Sequence, residues 1–372
     1  MVGAVPLTAE LSDPASPIRG WLETRFPHVD GLQPGWTRAL AGTRTIHPRY
    51  DGAVDWAGIG AAFGYRLGYA LAWFPPYHAL RALPVLTWDD LARHRVAGMF
   101  PAHRDLPADC SADLRPLPDG RALLLPDPPY LQTLPAAPPG ASDALVGFFT
   151  RLAVAGHLWP LHAPCPPGIE RPTARVCYAL ALLEAVYRRG LDAAAGWLPE
   201  TAYDLTDAYL RALAPDYAVN DLVGLADALT STGLRQFPAG PAIVAPEFVA
   251  GWADADVLVG DLLVDCKTTV NPRELHPEWV YQLLGYTLLD TADCYRIRKV
   301  GVYLSRQARL VSWTVDGLTA ALTGGPAPVL SGLRAEFADH VAAPTRGSRP
   351  LGRPLAHQEA AHTRSAGVTA DT

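Results

Sequence analysis

Three aspartates and one lysine interrupt an otherwise apolar stretch of this chain: Asp254, Asp256, Asp265 and Lys267. Carboxylate oxygens are the ligands that Mg²⁺ and Mn²⁺ favour, and Mg²⁺ typically binds through one or two carboxylates together with waters and phosphate oxygens. A lysine beside such a metal can orient or deprotonate a water molecule and stabilise developing negative charge. These residue types therefore suit hydrolysis of a phosphodiester bond.

Lysine is rare in this protein, which makes the position of Lys267 informative. The chain has 31 basic residues besides histidine, and only Lys267 and Lys299 are lysines. The preference for arginine is typical of a GC-rich bacterial genome. A lysine differs from arginine in being a compact point charge whose pKa can be tuned, so Lys267 is a candidate catalytic residue.

The elements that must position these residues are two predicted strands, 254–259 and 262–267. The dipeptide Gly260-Asp261 separates them, and glycine at the first position of a two-residue loop is typical of a type II′ hairpin. Both strands are otherwise apolar on both faces, which is typical of a buried, central pair.

That hairpin fixes which polar residues face each other. Asp256 would lie opposite Asp265, and Asp254 opposite Lys267, with all four side chains on one face of the sheet. Directly opposed Cβ atoms are roughly 4.5–5.5 Å apart. Two carboxylates at that distance repel each other unless one is protonated or a cation lies between them. Asp254 is either a third metal ligand or the partner that holds Lys267.

A predicted helix over residues 277–289 follows the hairpin, and the proline at its start fits position N1. It carries Gln282 and Tyr286, which are four residues apart and therefore share a helix face. Both side chains can form hydrogen bonds to a phosphate or a base near a metal.

The order of these motifs resembles the PD-(D/E)xK phosphodiesterase and nuclease superfamily. Within that superfamily it is similar to the RecB-type branch, whose members carry a Gln-x-x-x-Tyr helix. The resemblance implies that Asp256 and Asp265 bind Mg²⁺ or Mn²⁺ and that Lys267 is the catalytic lysine. Gln282 and Tyr286 would match the accessory helix motif.

The resemblance covers roughly residues 218–315 and implies an α/β (mixed α+β) fold. Its core would be the restriction-endonuclease-like αββαβ arrangement, a mixed central sheet flanked by helices. The acidic residue that the family places on its first core helix is not identifiable, and the candidates are Asp221, Asp227 and, more distantly, Glu184. The four-cysteine iron–sulfur set of some relatives and the nucleotide-binding loop of helicases are absent from the sequence.

The chain is expected to have a largely helical N-terminal region over 1–165, a nuclease-like domain over 166–325 and a disordered tail over 341–372. Predicted helices cover residues 56–73, 142–156, 172–190, 202–213, 218–231 and 277–289. Predicted strands cover residues 241–248, 254–259, 262–267, 300–305 and 310–314.

Composition narrows the class of protein. The five cysteines show no C-x-x-C pair, which disfavours zinc, an iron–sulfur cluster or a disulfide framework and indicates a reducing compartment. The sequence shows no secretory signal and no long apolar run, so we expect a cytoplasmic protein without a membrane partner. The net charge of −6 argues against a broadly basic surface but allows a local basic groove.

One basic run lies near the end of the proposed domain. It is either a solvated face or a surface that holds a phosphate backbone. Its members are Arg296, Arg298, Lys299, Arg306 and Arg309.

The sequence favours a metal-dependent nuclease, acting on DNA rather than RNA. The alternative function is a catalytically inactive nucleic-acid- or protein-binding module of the same fold. A third interpretation is a structural cluster of ion pairs, in which Asp254 pairs with Lys267, and Asp256 or Asp265 pairs with an arginine elsewhere in the chain.

Overall fold

The structure is a computed structural model, and it describes most of the chain. The described residues are 6–50, 52–83, 96, 99–100, 114–116, 122–124, 141–155, 167–199, 205–249 and 252–342. The helices are α1 (Leu7–Ser12), α2 (Pro17–Arg25), α3 (Gln33–Leu40), α4 (Trp56–Leu71), α5 (Tyr77–Leu80), α6 (Ala141–Ala155), α7 (Pro167–Arg189), α8 (Asp207–Ala212), α9 (Asp216–Ala228), α10 (Pro277–Leu289), α11 (Val315–Thr323) and α12 (Leu330–Ala342). The strands are β1 (Leu114–Pro116), β2 (Ala122–Leu124), β3 (Ala242–Val244), β4 (Glu247–Val249), β5 (Ala253–Asp254), β6 (Val257–Val259), β7 (Leu262–Lys267), β8 (Lys299–Leu304) and β9 (Arg309–Thr314).

A mixed five-stranded sheet in the order β3-β6-β7-β8-β9 organises the C-terminal half. All neighbouring strands in it are antiparallel except β7 and β8, which are parallel. A parallel pair needs a crossover connection, and α10 supplies it. The strand pairs β1–β2 and β4–β5 form two further small sheets.

Side chains of the central strands alternate between two apolar cores. Val257 and Val259 face one core, which also contains residues of α4, α6, α7 and α9. Leu258 faces the other, which contains residues of α1, α2, α3, α10, α11 and α12. Complete burial of each such side chain contributes roughly 1.5–3 kcal/mol. The sheet is therefore covered by helices on both faces, and the predicted mixed α/β class is confirmed.

The N-terminal helices contribute to both of these cores. Helix α4 begins where the Asp55 side chain accepts a hydrogen bond from the Gly58 amide, and it packs on the same face of the sheet as α7. Helix α1 packs against α10 on the opposite face. The predicted boundary between 1–165 and 166–325 thus does not separate two cores among the described residues.

The predicted strands 241–248 and 254–259 are each broken by a bend. Ala245 has a positive φ of 51° and donates its amide hydrogen to the carbonyl of Asp256, and Ala255 donates to the carbonyl of Pro246. The two strand segments therefore bend at the same place, and β4 and β5 continue beyond the bend as a separate pair.

Other predicted bounds differ by a few residues. The helix predicted over 172–190 begins earlier, at Pro167, although Pro172 lies inside it. The predicted tail over 341–372 overlaps the last two residues of α12, and its remaining residues lie outside the described part of the chain. In the described residues, no helix combines the length and the apolar character needed to cross a bilayer.

Candidate functional site

The β6–β7 hairpin has the register that the sequence predicts. Val259 pairs with Leu262, and continuing this register places Asp256 opposite Asp265. Gly260 has a φ of +59° and Asp261 does not have a positive φ. A type II′ turn requires this combination. The two carboxylates therefore meet at the end of the hairpin ladder, where β6 reaches the bend.

Gln282 on α10 links the candidate catalytic residues. Its amide nitrogen donates to Asp265 Oδ1 at 2.8 Å and to Tyr286 Oη at 2.6 Å. Its amide oxygen accepts a hydrogen bond from Lys267 Nζ at 2.8 Å. The structure thus brings together four of the residues predicted from the sequence, because α10 crosses directly over the end of β7.

Lys267 and Asp265 form an ion pair beside this amide. Lys267 Nζ lies 2.7 Å from Asp265 Oδ2, and the Asp265 side chain is 7% exposed. Burial disfavours the charged ammonium, but the Asp265 carboxylate outweighs that effect and raises the pKa of Lys267. Lys267 is therefore positively charged at neutral pH and serves as a hydrogen-bond donor.

Asp256 lies in a less favourable electrostatic environment. Its Oδ2 accepts a hydrogen bond from the Cys266 amide at 2.5 Å. Burial and the neighbouring Asp265 carboxylate together raise the pKa of Asp256 to about 8. A carboxyl with this pKa is largely neutral at pH 7 unless a cation stabilises its charged form.

Asp254 does not lie opposite Lys267, which corrects the register expected from the sequence. The bend at Ala245 and Asp256 moves it into β5, where it pairs with Glu247. Its two oxygens accept hydrogen bonds from Arg188 of α7 at 3.0 and 2.7 Å. Asp254 is therefore held by Arg188 rather than by Lys267.

A cavity of about 360 Å³ joins the hairpin carboxylates to a second polar cluster. This second cluster is formed by His78, Glu184, Arg188 and Asp254, and it also lines the cavity. Four carboxylates and two permanently charged cations among the described residues line the cavity: Glu184, Asp254, Asp256 and Asp265, with Arg188 and Lys267. The cavity therefore has an excess of negative charge when His78 is neutral.

The three candidates for an acid on the first core helix have different positions. Asp221 is buried in an ion pair with Arg306, at 2.9 and 2.5 Å. Asp227 does not line the cavity, and burial raises its pKa. Glu184 is the only one of the three that lines the same cavity as the hairpin carboxylates.

Sequence reasoning missed the glycine face of α4, which approaches the candidate site. A Cβ on Gly60 would lie 3.9 Å from the Thr268 side chain, and one on Gly64 would lie 3.8 Å from Asp256 Oδ1. A Cβ on Gly68 would lie only 2.7 Å from Val244 Cγ1. The spacing of four residues between these glycines was the available signal, because it places them on one helix face.

The donor chemistry of the hairpin fits a hard divalent cation. Asp265 Oδ2 contacts the Lys267 ammonium at 2.7 Å, and a carboxylate oxygen with one such contact still has a lone pair for a cation. Asp256 Oδ1 faces the glycine side of α4. In the described part of the chain no three His, Cys, Asp or Glu side chains converge as a complete ligand set. Two carboxylates with waters and phosphate oxygens are the usual environment of Mg²⁺.

The predicted basic run is largely paired with acids of the same chain. Arg298 pairs with Asp293, Lys299 pairs with Asp261, and Arg306 pairs with Asp221. Arg306 is also fully buried. The run as a whole is therefore not an open surface for a phosphate backbone.

Comparisons with known proteins give this chain no relative. No protein-family model, no curated protein and no solved structure matches it. The geometry of the site is therefore the basis on which a function is inferred.

Proposed function

We propose that this protein is a metal-dependent phosphodiesterase that hydrolyses nucleic acid, with DNA as the substrate. The proposal rests on one observation above all: Asp256 and Asp265 face each other beside a charged lysine, and Gln282 bridges that lysine to Asp265. The resemblance to the PD-(D/E)xK superfamily supports the same activity and is the reason for choosing DNA over RNA.

Each residue of this cluster has a distinct task in the proposed reaction. Asp256 and Asp265 would hold Mg²⁺ or Mn²⁺, which supplies Lewis-acid polarisation of a phosphoryl oxygen when bound. Lys267 Nζ donates hydrogen bonds to the phosphate and stabilises the negative charge that develops in the transition state. Gln282 orients both Asp265 and Lys267, and Tyr286 Oη fixes the orientation of Gln282.

Two matched pairs of variants test this proposal. We expect Asp265→Asn and Lys267→Ala to lower the Mg²⁺- or Mn²⁺-dependent cleavage rate by about 100-fold or more, a typical loss when a group that stabilises transition-state charge is removed. Asp261→Asn and Lys299→Ala change the same residue types in the exposed pair beside the hairpin turn, and should retain activity. Cleavage of single-stranded DNA, duplex DNA and RNA is measured for all four variants.

The alternative function is an inactive nucleic-acid- or protein-binding module of the same fold. The observation that favours it is that Lys267 already contacts Asp265 and Gln282. This alternative predicts binding without turnover, and binding that survives Asp256→Ala. Titration calorimetry of Mn²⁺ into the wild type and Asp256→Ala separates the two functions, because only the nuclease needs Asp256 to bind the metal.

A further inference from the structure

Two aromatic rings lie at the N-terminal end of α10, outside the cavity. The rings of Trp279 and His276 have centroids 4.6 Å apart and are tilted by 56°. His276 is exposed and Trp279 is partly exposed. We refer to these two residues as the Trp279 ledge.

The Trp279 ledge adjoins the candidate catalytic lysine. Trp279 precedes Gln282 by three residues, so the two side chains project from the same side of α10. The Lys267 Nζ atom lies 6.0 Å from the centroid of the Trp279 ring. Lys267 therefore lies between the cavity, which it lines, and the Trp279 ledge.

The neighbouring Trp36 is a core residue, whereas the Trp279 ledge reaches solvent. Trp36 is fully buried and donates its indole hydrogen to the carbonyl of Pro272 at 2.7 Å. The rings of Trp279 and Trp313 both adjoin Trp36, with centroid distances of 6.0 and 6.4 Å. Both outer rings remain partly exposed, and Trp279 is the one that approaches Lys267.

The cavity restricts the form of nucleic acid that could reach the carboxylates. Its volume of about 360 Å³ is in the lower part of the usual range for small-molecule sites, and the glycine face of α4 borders it at Asp256. A stacked duplex does not fit into such a space, whereas the phosphate of a single strand does. An unstacked base beside that phosphate needs an aromatic surface.

We propose that the Trp279 ledge is a stacking subsite for a nucleobase of single-stranded nucleic acid, next to the phosphate that Lys267 contacts. The inference rests on the proposed function for the identity of the substrate. Stacking on an indole does not depend on base identity, since every base has a π face, so the subsite selects strand form rather than sequence. The Lys267 charge on one side and the aromatic rings on the other fit the phosphate and the base of one nucleotide unit.

Binding to the full chain without divalent metal tests the subsite independently of catalysis. Fluorescence anisotropy is measured with a labelled single-stranded oligonucleotide and with the corresponding duplex. We expect the wild type to prefer the single strand, and Trp279→Leu to weaken its binding by about ten-fold, as the loss of one base–aromatic stack does. Trp279→Phe should bind nearly as the wild type does, because it keeps a π face.

These two substitutions also separate stacking from packing. Leucine fills apolar space without a π face, so a purely structural Trp279 would be replaced equally well by leucine and by phenylalanine. Trp313→Leu is the matched control, since it changes the other outer ring on Trp36 and should leave single-strand binding unchanged. The unfolding temperature of each variant shows that the protein still folds.

An abasic scan locates the subsite relative to the cleaved bond. A single abasic nucleotide at the stacking position should raise the KM of the wild type, and the same substrate should give no additional increase with Trp279→Leu. Equal affinity of wild type and folded Trp279→Leu for single strands, or a preference for duplex, would overturn the subsite. Binding with the expected Trp279 dependence but without cleavage would support the subsite and overturn the proposed function alone.

Discussion

The Asp221–Arg306 pair and the Asp256–Asp265–Lys267 cluster are both buried or partly buried groups of charges, but only the first is balanced. Arg306 meets Asp221 with two hydrogen bonds, and their side chains are 0% and 1% exposed. At the hairpin, two opposed carboxyl groups have one lysine beside them, and it contacts Asp265. A balanced bidentate pair needs no further ligand, whereas an excess of carboxylate is stabilised by protonation or by a cation.

Two other buried ion pairs follow the pattern of Asp221 and Arg306. Arg66 makes hydrogen bonds of 2.7 and 3.0 Å to the two oxygens of Glu170, and Arg81 lies 2.9 Å from Glu247. These pairs join helices to each other or to the small β4–β5 sheet, and they have structural tasks. In these three pairs an arginine balances a structural carboxylate. The hairpin carboxyl groups instead lie beside a lysine and line a cavity.

The largest expected loss of stability comes from removing one partner of the Asp221–Arg306 pair. Arg306→Met leaves Asp221 buried without its cation, and removal of one partner of a buried pair costs about 3–5 kcal/mol. Urea unfolding of the variant measures this loss in the free energy of unfolding. The double variant Asp221→Asn/Arg306→Met should recover part of the loss. Unchanged stability of Arg306→Met would contradict the role of Arg306 in balancing the buried Asp221 carboxylate.

A smaller effect is expected when a divalent cation balances the hairpin. Mn²⁺ at about 100 times its Kd should stabilise the wild type by about 2.7 kcal/mol, because the folded state alone has the site. Asp265→Asn should abolish this stabilisation, and Asp261→Asn should keep it. The unfolding temperature with and without Mn²⁺ measures the effect, and an equal shift in both variants would contradict a site at the hairpin.

A pH-dependent change in stability is expected in the metal-free protein. Because the pKa of Asp256 is raised from 3.8 to about 8, the folded state holds a proton between these pH values that the unfolded state has released. The stability of the metal-free wild type should therefore fall as the pH rises from about 4 to about 8. Asp256→Asn keeps an acceptor for the Cys266 amide, so it should remove this pH dependence and stabilise the metal-free protein at pH 8. Urea unfolding of the metal-free wild type and of Asp256→Asn across this pH range measures the difference.

Short-range features of the sequence predicted the hairpin and the helix that crosses it. Gly260-Asp261 defined the turn and therefore the register of Asp256 with Asp265, and Pro277 defined the start of α10. Both follow from local backbone preferences, and α10 has the predicted bounds. Gln282 then contacts Asp265, and Tyr286 contacts Gln282, because the helix lies over the strand that precedes it.

Long-range features could not be predicted in the same way. The bend that removes Asp254 from the hairpin needs a positive φ at Ala245, a residue that rarely adopts it, and a hydrogen bond to the opposite strand. The partner of Asp254 is Arg188, which lies 66 residues earlier in the chain. His78 and the glycines of α4 join the site through packing of distant helices, for which the hairpin pattern contains no information.

The glycine face of α4 has a consequence for protein engineering. One helix position, Gly64, lines the cavity without a side chain, and a Cβ there would lie 3.8 Å from Asp256 Oδ1. Successively larger side chains there would fill the cavity stepwise at Asp256 while every acidic and basic group keeps its identity. Such a series would give one scaffold a set of cavities that differ in the size of the group they admit.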